Sequence, residues 1–176
     1  MPFFNQRRHL LPPVAMLALA LAAPALQAGP VLDRIAASKR IVLAHRESSV
    51  PFSYLDGQGK PVGYAIDLCL RLAEAVRRHT KLPRLDVAYR LVTPANRLDT
   101  IAQGQADLEC GSTTNNAERR QKVAFTVPHY IAGARYLVRA DSPVQELSGF
   151  AGRKLVSTVG TTPLKAVQAA NAERQL

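Results

Sequence analysis

Short apolar runs alternate along the chain with segments in which apolar residues recur at helical spacing. The runs at residues 41–44, 87–92 and 106–110 have the length and apolar character of buried strands. Between the first two runs, apolar residues at positions 66–76 follow three- and four-residue spacing, which predicts a helix with one face on a sheet. Strand, helix, strand, helix, strand in this order predicts an α/β fold with parallel strands.

The helix before the third strand carries signals at both ends. Thr93 is a candidate N-cap, Pro94 suits the first helical position, and Gly104 is typical of a C-terminal stop. Arg97 falls in the first turn, where the helix dipole disfavours a cation by about 0.3–1 kcal/mol. A surface arginine tolerates this cost, and a bound carboxylate would offset both charges, so Arg97 fits either interpretation.

The remaining pattern divides the chain into two parts. Strand-like runs at residues 123–128 and 134–138 continue the first part. A further strand at 154–158 leads through Gly160 into a helix that Thr162 caps and Pro163 begins. The predicted division is a first α/β unit at 29–139, a hinge connector at 140–143 and the start of a second unit at 144–176.

A polar loop follows the third strand. Asn115 is a candidate helix cap, with Glu118 at the capping-box position, so free backbone N–H groups would gather near the hydroxyls of Ser112 and Thr114. Arg119 adds a guanidinium that can grip a carboxylate through two parallel hydrogen bonds. Both an anion site and an ordinary polar turn with a surface arginine fit this pattern.

The first 28 residues have the pattern of a secretory signal peptide. Arg7 and Arg8 precede a mostly apolar stretch, and small residues follow, with cleavage expected after Ala25 or Ala28. We expect the mature protein to be exported to the periplasm, with a retained membrane anchor as the alternative. Cys69 and Cys110 could then pair, yet their apolar surroundings favour two buried thiols.

Charge and motifs exclude several classes of function. The formal net charge is +10, but basic and acidic residues are interspersed without a Lys/Arg tract and interleaved aromatics, which argues against nucleic-acid binding. No metal-ligand spacing, phosphate loop or nucleophile elbow occurs after residue 28, so we expect no metal and no cofactor. His45 and Glu47 are the candidates for catalysis, and Glu47 is better explained as a charge partner of Arg46. We therefore expect no enzyme activity.

Polar loops follow three predicted strands, at residues 45–49, 110–116 and 160–162, and ligands of open α/β sheets bind at the carboxyl ends of strands. The runs HRESSVPFSY and ECGSTTNN in the first two closely resemble those of periplasmic solute-binding proteins of polar amino-acid ABC importers, family 3, of the glutamate/aspartate-binding type. The resemblance implies a type II periplasmic-binding-protein fold, with two α/β lobes closing about a hinge and the second lobe incomplete in this chain. It also implies a monomer that delivers glutamate or aspartate to permease subunits in the inner membrane.

The resemblance further implies roles for individual residues. Arg119 would hold the ligand α-carboxylate with Ser112 or Thr114 and the backbone of Thr162. Arg46 and Arg97 would take the side-chain carboxylate, since three arginines exceed what a neutral amino acid needs. Phe52 could line the pocket wall or serve the core.

Two departures from the family pattern shape the alternatives. Pro94 stands where relatives carry a ligand-contacting serine, and the acidic residue that binds the ligand ammonium is expected later in the second lobe than this chain extends. We therefore expect weak or no binding by this chain alone. The alternatives are a non-functional fragment of such a protein, or a ligand-sensing or enzymatic domain on the same fold.

Overall fold

The computed structural model describes residues 29–174 and arranges them as an α/β fold with two small sheets. The helices are α1 (Pro30–Ser38), α2 (Tyr64–His79), α3 (Arg97–Ala102), α4 (Ala117–Arg120) and α5 (Thr162–Arg174), with a short 3-10 helix at Leu147–Phe150. The strands are β1 (Arg40–His45), β2 (Ser48–Ser49), β3 (Ser53–Leu55), β4 (Pro61–Val62), β5 (Asp86–Leu91) and β6 (Leu108–Cys110). The predicted signal peptide lies outside the described residues.

The main sheet is parallel, with strand order β5-β1-β6, which confirms the predicted strand and helix alternation. Its central strand β1 is apolar on both faces because both faces are covered. Ile41 and Leu43 belong to a core cluster with Ile66 of α2, whereas Ala44 joins a second cluster with Val92. The sheet therefore lies between two packed layers and presents its carboxyl edge to the polar loops.

A tight loop carries the chain from the small antiparallel sheet into α2. The first helical N–H groups, those of Tyr64 and Ala65, donate to the carbonyls of Pro51 and Phe52 at 3.0 and 2.8 Å. Gly63 has φ +123°, and a Cβ atom there would lie 2.6 Å from the Phe52 carbonyl oxygen. This close approach requires glycine and fixes the loop that follows Arg46 against the start of α2.

The two cysteines form a disulfide, so the preference for two buried thiols was wrong. Cys69 of α2 and Cys110 of β6 have Cα atoms 6.1 Å apart and are bonded through sulfur. Both are almost fully buried within one apolar cluster. The sequence pattern predicted the burial of each cysteine but not that the helix lies directly over the third strand.

Three predicted strands do not form. Residues 123–128, 134–138 and 154–158 form no strand, and several of their apolar side chains are exposed, including Val127 at 84% and Leu137 at 99%. A strand is stabilised by hydrogen bonds to a neighbour, and no described strand lies alongside these segments. Their local β pattern is therefore not sufficient to form a sheet.

Within residues 29–174, no helix combines the length and the apolar character that crossing a membrane requires.

Candidate functional site

Parallel pairing places the ends of three strands at one edge of the main sheet. His45, the last residue of β1, pairs with Leu91 of β5 and with Cys110 of β6. The segments that follow these residues, containing Arg46, Thr93 to Arg97 and Gly111 to Thr114, therefore leave the sheet side by side. A Cβ atom built at Gly111 would lie 3.4 Å from Cγ of Arg46, so the first and third loops are in contact.

Arg97 is a buried cation with an unused donor. It is the first residue of α3, only 3% of it is exposed, and its Nε makes no hydrogen bond. Burial lowers its pKa from the ordinary value, the nearby charges of Arg119 and Arg46 lower it further, and the Glu109 carboxylate opposes this. A buried guanidinium near two like charges is costly unless an anion accompanies it.

Glu109 contributes a carboxyl group to this site, and its position there was not predicted from the sequence. It is the middle residue of β6, and burial raises the pKa of its carboxyl group. A hydrogen bond with Thr113 lowers this pKa, and so do the positive charges of Arg97, Arg46 and Arg119. A carboxylate near the end of an otherwise apolar strand was the available sequence signal. Glu47, interpreted as the partner of Arg46, is exposed, and no ion pair among the described residues joins the two.

Arg119 is held by the loop that precedes it. The helix cap is Asn116, one residue later than the predicted Asn115, and its side-chain oxygen accepts the Arg119 N–H at 2.9 Å. The Arg119 guanidinium donates through Nη1 to the Thr114 carbonyl at 2.9 Å and through Nη2 to the Gly160 carbonyl at 3.4 Å. Of its five N–H donors, the others remain available to a ligand.

The first part of the chain contacts the beginning of α5 at this loop. The hydroxyls of Thr114 and Thr162 are 3.2 Å apart, while Ser112 is exposed beside them. Glu118 does not complete a capping box, because its carboxylate accepts from Lys165 at 2.7 and 2.8 Å. The capping hydroxyl at α5 is that of Thr161, which accepts from the Leu164 N–H at 3.4 Å, rather than that of Thr162.

A cavity of about 150 Å³ lies between these two parts of the chain. Arg119, Lys122 and Lys165 line it together with Glu118, so its walls carry more positive than negative charge. Gly160, with φ +78°, closes one side, and a Cβ atom there would lie 3.0 Å from the Pro94 carbonyl. Neither Arg46 nor Arg97 lines this cavity, so the three arginines do not open into a single described pocket.

Phe52 packs in an aromatic cluster beside the small sheet. Its ring centroid is 5.1 Å from that of Tyr130 and 6.3 Å from that of Tyr64, both in edge-to-face geometry. The adjacent Ser53 is fully buried and its hydroxyl accepts the Arg46 N–H at 2.9 Å. Phe52 therefore borders the loop of Arg46, and its ring contacts are aromatic.

His45 is placed for packing. Only 6% of it is exposed, its Nδ1 lies 3.1 Å from the Arg46 carbonyl oxygen, and its ring meets Tyr89 edge to face at 6.0 Å. His129, next to the Phe52 cluster, lies 5.5 Å from Tyr64 between ring centroids. Among residues 29–174 there is no group of three or more metal-ligating side chains.

Comparisons with known proteins agree with this architecture. A model of the bacterial extracellular solute-binding proteins, family 3, matches residues 41–174. The chain is 39% identical to an L-glutamate/L-aspartate-binding protein of Pseudomonas aeruginosa over 165 residues, covering 92% of this chain and 55% of that protein. It is also 39% identical to a glutamate/aspartate import solute-binding protein of Escherichia coli, covering 94% of this chain and 57% of that protein. The chain thus spans about half the length of the curated relatives it matches.

The fold is also found in a solved structure. A mutant of ArgBP from T. maritima superposes with a TM-score of 0.70 at 22% identity, covering 80% of this chain and 59% of that chain. At this identity the likeness concerns the fold alone. The fold class is that of the type II periplasmic binding proteins, with a second lobe that is incomplete in the described residues.

Proposed function

Because the chain belongs to family 3 of the bacterial extracellular solute-binding proteins, we propose that it takes part in capturing an acidic amino acid outside the cytoplasm. The ligand is glutamate or aspartate, which the protein delivers to the permease subunits of an ABC importer in the inner membrane. The observation that carries this proposal is the charge of the sheet edge. The positive charges of three arginines, Arg46, Arg97 and Arg119, all lower the pKa of one buried carboxyl group, that of Glu109. Positive charge is therefore in excess at this edge of the sheet.

The positions of the individual side chains support a division of labour within the site. Arg119 has donors left after its two backbone contacts and lies beside Thr114 and Thr162, which suits the ligand α-carboxylate. Arg46 and Arg97 follow β1 and β5 at the same edge, which suits the side-chain carboxylate. Ser112 is exposed in the loop that follows β6. Phe52 precedes Ser53, whose hydroxyl accepts the Arg46 N–H.

Contacts between residues 114–118 and the start of α5 support a division of the chain into two lobes. Residues 29–139 form the first lobe, 140–143 a hinge, and 144–176 the beginning of the second lobe. The hydroxyl contact of Thr114 with Thr162 and the ion pair of Glu118 with Lys165 are then contacts across the cleft. Residues 1–28 act as a signal peptide for the periplasm, and the protein works as a monomer without cofactor or catalysis. Mass spectrometry of the exported protein would test the signal peptide, with cleavage expected after Ala25 or Ala28.

The ligand preference can be measured on the chain itself. We expect glutamate and aspartate at millimolar concentrations to shift the NMR amide resonances of Arg46, Arg97 and residues 112–119, and glutamine and arginine to leave them unchanged. Arg97→Gln should weaken the effect by roughly tenfold or more, because a charge-assisted hydrogen bond contributes about 1.5–3 kcal/mol.

Arg84→Gln is the matched control, since the Arg84 side chain is 86% exposed and its ion pair among the described residues is with Asp86 on the surface. It should leave the titration unchanged. A preference for glutamine or arginine over glutamate and aspartate would overturn the proposal.

A further inference from the structure

Three buried polar atoms near the sheet edge lack partners. They are Nε of Arg97, Oε1 of Glu109 and Oγ1 of Thr113, a cationic donor, an acceptor and a hydroxyl that can act as either. An unmatched buried polar group costs about 1–3 kcal/mol. Among residues 29–174, a ligand group that paired with these atoms would remove part of this cost.

Thr113 lies close enough to Glu109 for a hydrogen bond between the two side chains to lower the pKa of Glu109, although the geometry of that bond is poor. The charges of Glu109 and of Arg46, Arg97 and Arg119 act on one another, yet among residues 29–174 no arginine forms an ion pair with Glu109. Gly111 leaves room for the Glu109 carboxylate, since a Cβ atom there would collide with Oε1. A ligand group placed among these atoms meets donors from the arginines and an oxygen from Glu109.

The protonation of Glu109 decides which ligand group fits. An ionised Glu109 repels an incoming carboxylate but accepts a hydrogen bond from a carboxamide N–H. A protonated Glu109 donates its O–H to a carboxylate oxygen, while the arginines bind the negative charge. The same position thus distinguishes a carboxylate from its amide through one proton.

We propose that Glu109 is a specificity-determining residue that takes up one proton from solvent when an anionic side-chain carboxylate enters among Arg46, Arg97 and Thr113. This inference rests on the proposed function, because it concerns the same ligand site. The proton binds to a Glu109 carboxylate oxygen and forms the hydrogen bond to the ligand, so no covalent bond is made or broken.

The charged groups around Glu109 define the direction of the pH dependence. Arg46 follows β1, Arg97 begins α3 and Arg119 belongs to α4. Their positive charges lower the pKa of Glu109, and so does its hydrogen bond with Thr113. Burial outweighs these effects and raises the pKa above the ordinary value of 4.5. A bound anion raises this pKa further, so the complex holds more protons than the free protein. The affinity for glutamate therefore falls as the pH rises through the range in which Glu109 of the free protein has lost its proton, by up to about tenfold per pH unit for one proton.

Calorimetric titration of the full chain in buffers of different ionisation enthalpy measures both quantities. With glutamate, the wild-type chain should take up close to one proton and bind more weakly at each higher pH. Glu109→Gln should take up none and should bind glutamate with an affinity independent of pH. Glu74→Gln is the matched control, because it removes an exposed carboxylate on α2, and it should behave like the wild type.

The outcomes separate the two proposals. Binding of glutamate without proton uptake, with the same pH profile in wild type and Glu109→Gln, would overturn the role of Glu109 and leave the proposed function intact. Tighter binding of glutamine or arginine than of glutamate at every pH would overturn the proposed function. If Glu109→Gln does not fold, the wild-type proton uptake decides the matter, and Gly111→Ala, which displaces the carboxylate without removing its charge, should alter the pH profile.

Discussion

Asp107 shows at the scale of one residue how a buried carboxylate differs from a surface one. Its side chain is 2% exposed and pairs with Arg34 of α1. One carboxylate oxygen also accepts the Val42 N–H at 2.8 Å, while the Asp107 N–H donates to the Val42 carbonyl at 2.8 Å. The residue therefore joins α1, β1 and the start of β6.

Asp107→Ala should destabilise the fold by about 1–3 kcal/mol, because the Val42 N–H loses its partner in a buried position. Urea unfolding of the chain measures this. Asp86→Ala is the control, since Asp86 pairs with Arg84 on the surface at 2.9 Å and such pairs contribute about 0–1 kcal/mol. Equal losses in the two variants would show that Asp107 has no special role.

Glu109 shows why part of the site could not be predicted from sequence. Arg97 and Arg119 stand out in the sequence because each lies near the start of a predicted helix, which is local information, whereas the role of Arg46 came from the resemblance to the family. Glu109 lies within a strand, and its importance depends on the parallel pairing of Ala44 with Glu109, which brings it beside the Arg46 loop. Pairing between distant segments is not encoded in any short stretch of sequence.

At the scale of elements, local signals predicted what local forces decide. The β1 and β5 strands, the α2 helix and the stop at Gly104 were correct because hydrophobic periodicity and glycine geometry act over a few residues. The cap of α4 was displaced by one residue because Asn115 and Asn116 both suit the position. The hydroxyl of Thr93 accepts the Asn96 N–H at 3.3 Å, as an N-cap does, although α3 begins at Arg97.

The disulfide between α2 and β6 should contribute strongly to stability. It closes a sequence separation of 41 residues, and a loop of this length corresponds to about 4 kcal/mol of lost entropy in the unfolded chain. We expect dithiothreitol to lower the thermal midpoint of the wild-type chain and to leave a Cys69→Ala/Cys110→Ala double variant unchanged. Two titratable thiols in the purified, unfolded chain, with no effect of reductant, would show that the bond does not form.

At the scale of the whole molecule, order is concentrated around the main sheet. Most of the buried apolar residues belong to two clusters on β1 and its neighbours, whereas every residue from 126 to 141 is exposed. The sequence predicted strands at 123–128 and 134–138 because their composition favours extended structure. Composition cannot provide the neighbouring strand that would satisfy their backbone N–H groups.

Hydrogen exchange would distinguish an exposed, unpaired segment at 134–138 from the strand that its sequence predicts. Among the described residues, the backbone N–H groups of 131–138 donate no hydrogen bond, so their amides should exchange at nearly the rate of an unfolded peptide. The amides of β1, which lies between two strands, should exchange only through global or large-scale opening. The α5 helix serves as the internal control: its amides are hydrogen-bonded but most of its residues are exposed, so their protection should be intermediate. Protection of 134–138 equal to that of β1 would mean that this segment pairs as a strand in solution, as its sequence pattern predicts, and that the order of the molecule extends beyond the main sheet.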